Sequence, residues 1–232
     1  MASPSLVWFR DDLRLTDHPA LRAALDRGEP VIALYVLDEE SDGVRPIGGA
    51  ARWWLHHSLA SLAERLAERG STLVLRRGRA AEIVPAVVEE TGAGAVFWNR
   101  RYGGPEREID AGLKEKLRGD DVTVASFAAN LLFEPWTVRT GADKPYGVYT
   151  PFRRAVEKMP SPRAPLPEAR KIPGTSKAPA SDDLDTWNLL PTKPDWAGGL
   201  RETWEPGEPA ALARLREFLD DDLGDYAFSR DA

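Results

Sequence analysis

Between Leu6 and Ser126 the chain alternates five short apolar runs with longer amphipathic ones, and that alternation restricts its fold more than any other feature. The apolar runs are residues 6–9, 31–37, 72–75, 95–98 and 122–126. Each has the length and the apolar density of a buried strand. Helices are predicted between them. The first is capped by Thr16 or Asp17, carries Pro19 in its first turn and ends at Gly28. The second covers about 49–69, with Leu55, Leu59, Leu62 and Leu66 on one stripe. The third covers about 80–90, and the fourth 106–117. Strands joined by helices pair in parallel and are covered on both faces, and right-handed crossovers then give a doubly wound, Rossmann-like sheet of five strands. Such sheets hold ligands in the crevice at the carboxyl ends of their strands.

With 232 residues and 42% hydrophobic content, the chain can bury a full domain core. It has no cysteine, which rules out disulfides and thiol catalysis and fits a reducing cytoplasm. No signal peptide and no run of membrane-spanning length is readable. The net charge of −6 argues against broad nucleic-acid binding by the chain as a whole. The acidity lies in the tail: 13 acidic and 5 basic residues from Ser181 onward, against 24 and 26 before it.

The alternation ends near Phe127. Residues 128–158 read as irregular, with Tyr146, Tyr149 and Phe152 clustered and a short helix at about 151–158. Six prolines between 160 and 179 predict an extended connector. Trp187, Trp196 and Trp204 follow in a loop-rich stretch, and a last helix begins after Gly207-Glu208-Pro209 and reaches about Leu219. The expected organisation is an α/β domain over 1–130, a connector over 131–205, and the edge of a second, helical domain over 206–232.

Two loops carry the candidate chemistry. After the first strand, Arg10, Asp11, Asp12, Arg14 and Asp17 alternate in sign. Arg10 or Arg14 can pair with Asp12 or Asp17 to fix the strand-to-helix turn, and the same residues can wall a ligand crevice; the two roles are compatible. After the fourth strand, the run Asn99 to Asp110 opens a helix. Glu106 suits the positive end of that helix, and its carboxylate can also accept hydrogen bonds from a heterocyclic ring such as a pterin. No phosphate-binding glycine loop follows the first strand. His56 and His57 point about 100° apart on a helix and read as packing residues, so no metal site is expected. The sequence assigns no catalytic residue.

Several of these stretches together resemble the photolyase/cryptochrome family. They are Trp8 to Leu21 (W-F-R-x-D-L-R-x-x-D-x-x-A-L); Asn99, Tyr102, Glu106, Arg107 and Asp110; Tyr149-Thr150-Pro151-Phe152 with Arg154-Ala155; Pro206-Gly207-Glu208 with Ala210, Ala211, Leu212 and Leu215; and Tyr226 with Arg230-Asp231. Val156 departs from the family pattern, where an aromatic stands. The resemblance covers essentially the whole chain. It implies the antenna part of a deoxyribodipyrimidine photolyase, which reverses cyclobutane pyrimidine dimers in UV-damaged DNA with light. It also implies an antenna, methenyltetrahydrofolate or deazaflavin, that feeds reduced FAD held in an all-helical domain. By position, Glu106 matches an antenna contact, Tyr226 an FAD contact and Arg230 a DNA contact. The family's flavin-phosphate segment would lie beyond Ala232, so this chain alone is expected to be inactive. The alternatives are a cryptochrome-like light receptor and a stand-alone chromophore-binding module.

Overall fold

The computed structural model describes residues 3–176 and 179–230. Five strands, β1 (Ser5–Phe9), β2 (Val31–Leu37), β3 (Leu73–Arg77), β4 (Ala95–Asn99) and β5 (Thr123–Phe127), pair in parallel in the order β3-β2-β1-β4-β5. The chain winds outward from β1 to β3, then returns to the other side of β1 with β4. The strand order therefore reverses between β1 and β4, and that is the switch point where a crevice opens. The doubly wound α/β sheet expected from the alternation is present.

Alternation within the strands separates two cores. Val7, Phe9, Ala33, Leu73, Leu75 and Phe97 face α1 (Pro19–Asp26) and α2 (Gly49–Glu68). Leu6, Trp8, Ile32, Leu34, Val96 and Trp98 face α3 (Ala80–Thr91) and α4 (Gly104–Gly119). The central strands β2, β1 and β4 are buried along nearly their whole length, which explains why they read as continuous apolar runs.

The first helix starts differently from expectation. Its cap is His18, whose Nδ1 accepts the Leu21 N–H at 3.0 Å, and not Thr16 or Asp17. Asp17 is in the left-handed region (φ 49°) and its carboxylate is taken by the Leu166 N–H at 2.9 Å and by Arg163.

Beyond β5, α5 (Tyr149–Val156) is almost wholly exposed, starting two residues earlier than the sequence suggested. The proline-rich stretch is extended, but it is seated on the domain. The Val31 N–H donates to Pro173 O at 2.7 Å, the Ile172 N–H to Arg69 O at 2.8 Å, and the Asp182 N–H to Leu75 O at 2.8 Å. Ile172, Trp187 and Leu189 join the core shared with α1 and α2, while Trp196 and Trp204 stay about half exposed. Three short helices follow, α6 (Gly198–Thr203), α7 (Glu208–Glu217) and, after one π turn and one 3-10 turn, α8 (Tyr226–Ser229). Ile172→Ala removes a fully buried side chain, so it is expected to cost about 2–5 kcal/mol in urea unfolding. A loss below about 0.5 kcal/mol, the scale of a surface substitution, would mean that the strap is not part of the core.

Candidate functional site at the sheet switch point

Arg10, the first residue after β1, is buried. Its guanidinium donates to Asp110 Oδ1 at 2.6 Å and Oδ2 at 3.2 Å, and to the Asn99 carbonyl. It also stacks 4.5 Å from the centre of the Trp8 ring. Trp98 Nε1 donates to the same Asp110 carboxylate at 2.8 Å. Asp12 forms a second centre. It accepts the Arg10 N–H at 2.8 Å and the Asn99 side-chain amide at 2.6 Å, and His18 Nε2 stands 3.0 Å from it. Asn99 Oδ1 accepts the Ala20 N–H at 3.2 Å. The loop charges therefore do not pair with one another, as the sequence suggested. Arg10 reaches α4 and Asp12 reaches β4 and α1, while Arg14 donates to the carbonyls of Asp17 and Ala129. A partner a hundred residues away takes two of the Arg10 nitrogens within the crevice, and the Arg10 Nε is left without a partner among the described residues.

Burial alone would raise the Asp12 carboxyl. The hydrogen bonds from His18, the Arg10 N–H and Asn99, with the His18 charge, outweigh it and hold Asp12 well below the usual carboxylate range. A carboxylate depressed in the folded state contributes stability that is present above its unfolded pKa of about 3.9 and is lost as pH falls towards the folded value. The stability gap between the native chain and Asp12→Asn is therefore expected to be full above about pH 5 and to shrink below about pH 4. Urea titrations at several pH values check this; a gap that stays constant down to pH 2 would contradict the assignment.

With the inner charges locked, Asp11, Arg14 and Asp17 face outward. They form one wall of a cleft of about 650 Å³, and Arg101, Tyr102, Gly103 and Glu106 form the other. Glu106 stands in the first turn of α4, where the helix end favours a carboxylate. A Cβ on Gly103 would fall 2.1 Å from Glu106 Oε2, so glycine is what lets this carboxylate fold back over the helix start. The Nε of Arg101 is buried without a partner among the described residues. Tyr102 donates to Glu134 at 3.0 Å; burial first and then Glu134 push its pKa up, so it remains a donor. The cleft thus offers both acceptors and guanidinium donors.

A second opening, about 790 Å³, lies on the other side of the same loop. Two of its walls are mainly apolar, with Ile47, Trp54 and Leu55 around α2 and Leu212 and Leu215 on α7, and the third is the charged β1–α1 loop with Asp11, Arg14 and Asp17. Tyr35, at the end of β2, gives it a polar end, and its hydroxyl is kept protonated by burial and then by the Asp11 charge. Trp204 packs edge-on against Trp54 at 6.1 Å. Sequence reading did not find this groove, because α7 and α2 meet only in the fold.

Glu106 is therefore in a cleft at the switch point, whereas Tyr226 and Arg230 are in neither opening. Tyr226 starts α8, half exposed, with its ring edge-on to Phe218 at 5.7 Å. The Arg230 N–H bonds the Tyr226 carbonyl at 3.1 Å, and Asp231 lies outside the described residues. His57 packs on Trp53 at 4.7 Å, and the described residues contain no cluster of His, Asp and Glu able to hold a metal ion. Asp110 did carry a signal in the sequence: with Leu113 and Leu117 it places a carboxylate on the buried face of a helix.

Fold and clefts define a doubly wound α/β domain with its ligand openings at the strand-order reversal. Residues 5–171 match the DNA photolyase family, and the chain belongs to that family. A deoxyribodipyrimidine photo-lyase of Agrobacterium fabrum is 47% identical over 229 residues, covering 99% of this chain and 47% of that protein. Cryptochrome-1 of Arabidopsis thaliana is 35% identical over 236 residues, covering 97% of this chain and 33% of that protein. The crystal structure of a bacterial class III photolyase from Agrobacterium tumefaciens superposes with a TM-score of 0.94 at 45% identity, over 100% of this chain and 47% of its own. A Synechocystis sp. cryptochrome shares the fold, with a TM-score of 0.82 at 23% identity over 100% of this chain and 50% of its own. The chain spans about half or less of the length of these relatives.

Proposed function

We propose that this chain is the light-gathering α/β part of a DNA photolyase, a carbon–carbon lyase that reverses cyclobutane pyrimidine dimers in UV-damaged DNA. The observation that carries this reading is the match to the DNA photolyase family across 5–171, the residues that build the sheet, the cleft and all of the groove except its α7 wall. Repair is preferred over light signalling because identity is 47% to a photo-lyase and 35% to a plant cryptochrome. The cytoplasm, with access to DNA, is the compartment that suits this reading, and among the described residues no helix is long and apolar enough to cross a membrane.

The residues of the cleft fit a heterocyclic antenna, methenyltetrahydrofolate or deazaflavin. Glu106 is a half-buried acceptor for ring N–H and amino groups, and Arg14 and Arg101 supply positive charge to acidic substituents. When bound, the antenna supplies near-UV absorption and passes its excitation to reduced FAD, the electron donor to the dimer. Tyr226 as an FAD contact and Arg230 as a DNA contact fit their place on the exposed 218–230 segment, clear of both openings. A lesion already weakly paired is cheap to extrude from the duplex, which helps an enzyme of this kind select it.

The groove favours a second seat for the antenna ring. Its Trp54, Leu55 and Leu212 walls suit a planar aromatic surface better than the charged cleft does. The two seats separate by mutation. If Glu106 holds the antenna, Glu106→Ala lowers chromophore retention about tenfold, about 1.4 kcal/mol, with the fold intact, and Trp54→Ala leaves it unchanged. The reverse pattern in near-UV absorbance assigns the ring to the groove, and no change in either variant contradicts antenna binding here. The activity itself is tested on the whole gene product that carries this chain, with reduced FAD and a dimer-containing oligonucleotide. Light-dependent dimer reversal is expected; FAD binding with the dimers left intact would favour the receptor reading.

A further inference from the structure

One carboxylate on α7 reaches the loop that walls both openings. Among the residues of α7, Glu208 is the one that is buried, with its side chain 6% exposed. It accepts two successive backbone N–H groups of the β1–α1 loop, Leu15 at 2.7 Å and Thr16 at 2.9 Å, and pairs with Arg65 on α2. Arg65 also pairs with Glu168 of the proline-rich strap, and Arg69 joins the same Glu168 at 2.6 Å. Two arginines and two glutamates thus tie α2, the strap, α7 and the loop together with their charges balanced. Gly207 makes the approach possible: it has φ 116°, and a Cβ there would stand 2.7 Å from Ser61 Oγ on α2.

A helix whose one buried residue is an ion is not held by apolar packing alone. Its seat depends on those two amides and one guanidinium, and the amides have no other acceptor in their loop. The same loop supplies Asp11, Arg14 and Asp17 to both openings and Leu13 and Thr16 to the groove alone. We infer that Glu208 is a positioning residue that couples the seat of α7 to the shape of the β1–α1 loop. Unseating α7 then loosens the shared wall of both openings, and ordering that wall favours the seat of α7, since such coupling is reciprocal. The inference concerns the loop and the helix, so it stands or falls separately from antenna binding.

Native-state hydrogen exchange on the 232-residue chain tests it. In Glu208→Gln the Leu15 and Thr16 amides and the α7 amides exchange together about tenfold faster or more, while the amides of β1–β5 stay within about twofold. Leu212→Ala, which trims a partly buried apolar side chain of α7, leaves Leu15 and Thr16 protected. Should Glu208→Gln fail to fold, Glu208→Asp replaces it, because the shorter side chain cannot span both amides and Arg65, and the same two regions loosen. The inference is overturned if loop and helix keep native exchange when Glu208 is changed. It is equally overturned if the sheet speeds up as much as the loop, or if Leu212→Ala loosens the loop as far as the Glu208 variants do.

Discussion

The ion pair between Arg10 and Asp110 is the contact on which the rest of the site depends. Side chains 3% and 8% exposed have given up water, and in such a place two charges survive only when nearly every remaining bonding position is filled. Here the Asn99 carbonyl, Trp98 Nε1 and the face of Trp8 fill all of them but one, the Arg10 Nε, which is buried without a hydrogen-bond partner among the described residues. The pair joins the end of β1 to α4 across the strand-order reversal. It sets the distance between the two loops that form the cleft. Loss of one partner would leave an unpaired charge in a dry crevice, a penalty of about 3–5 kcal/mol.

Because the inner charges are consumed by that network, Asp11, Arg101 and Glu106 are left facing the cleft. Arg10 and Asp12 hold the loop from within; Glu208, Leu166 and Arg163 hold it from outside. A loop clamped on both sides loses little entropy when a ligand arrives, which favours a small, oriented chromophore over a loosely held one. The light-gathering role proposed above calls for this rigidity, since energy transfer needs a fixed donor. The DNA and flavin contacts proposed for Arg230 and Tyr226 lie on the helical side, and α7 is the element that joins that side to the loop.

Local physics made the sheet legible. Val31–Leu37 and Ala95–Asn99 are buried on both faces, and a strand buried that way has to be apolar throughout. The loop pairing was not legible, because Arg10 lies 100 residues from Asp110 and adjacent opposite charges offered a simpler pairing. His18 hid as a cap because its role depends on Asp12 and on the positive φ of Asp17. The strap read correctly as extended, but proline content says nothing of what an extended chain lies against; Ile172 and Trp187 found the core through α1 and α2. Glu106 was legible as a helix-start carboxylate, whereas Glu208 was seen only as part of a motif. Its function needs the Leu15 and Thr16 amides, which are 192 or more residues away.

A double-mutant cycle on Arg10 and Asp110 tests the central claim most directly. Arg10→Met and Asp110→Leu are made singly and together, and unfolding free energies are measured in urea. The account predicts that each single change is costly and that the double variant recovers much of the loss, with a coupling of about 2 kcal/mol or more. Additive losses, with coupling below about 0.5 kcal/mol, would show that the pair does not hold the two loops together.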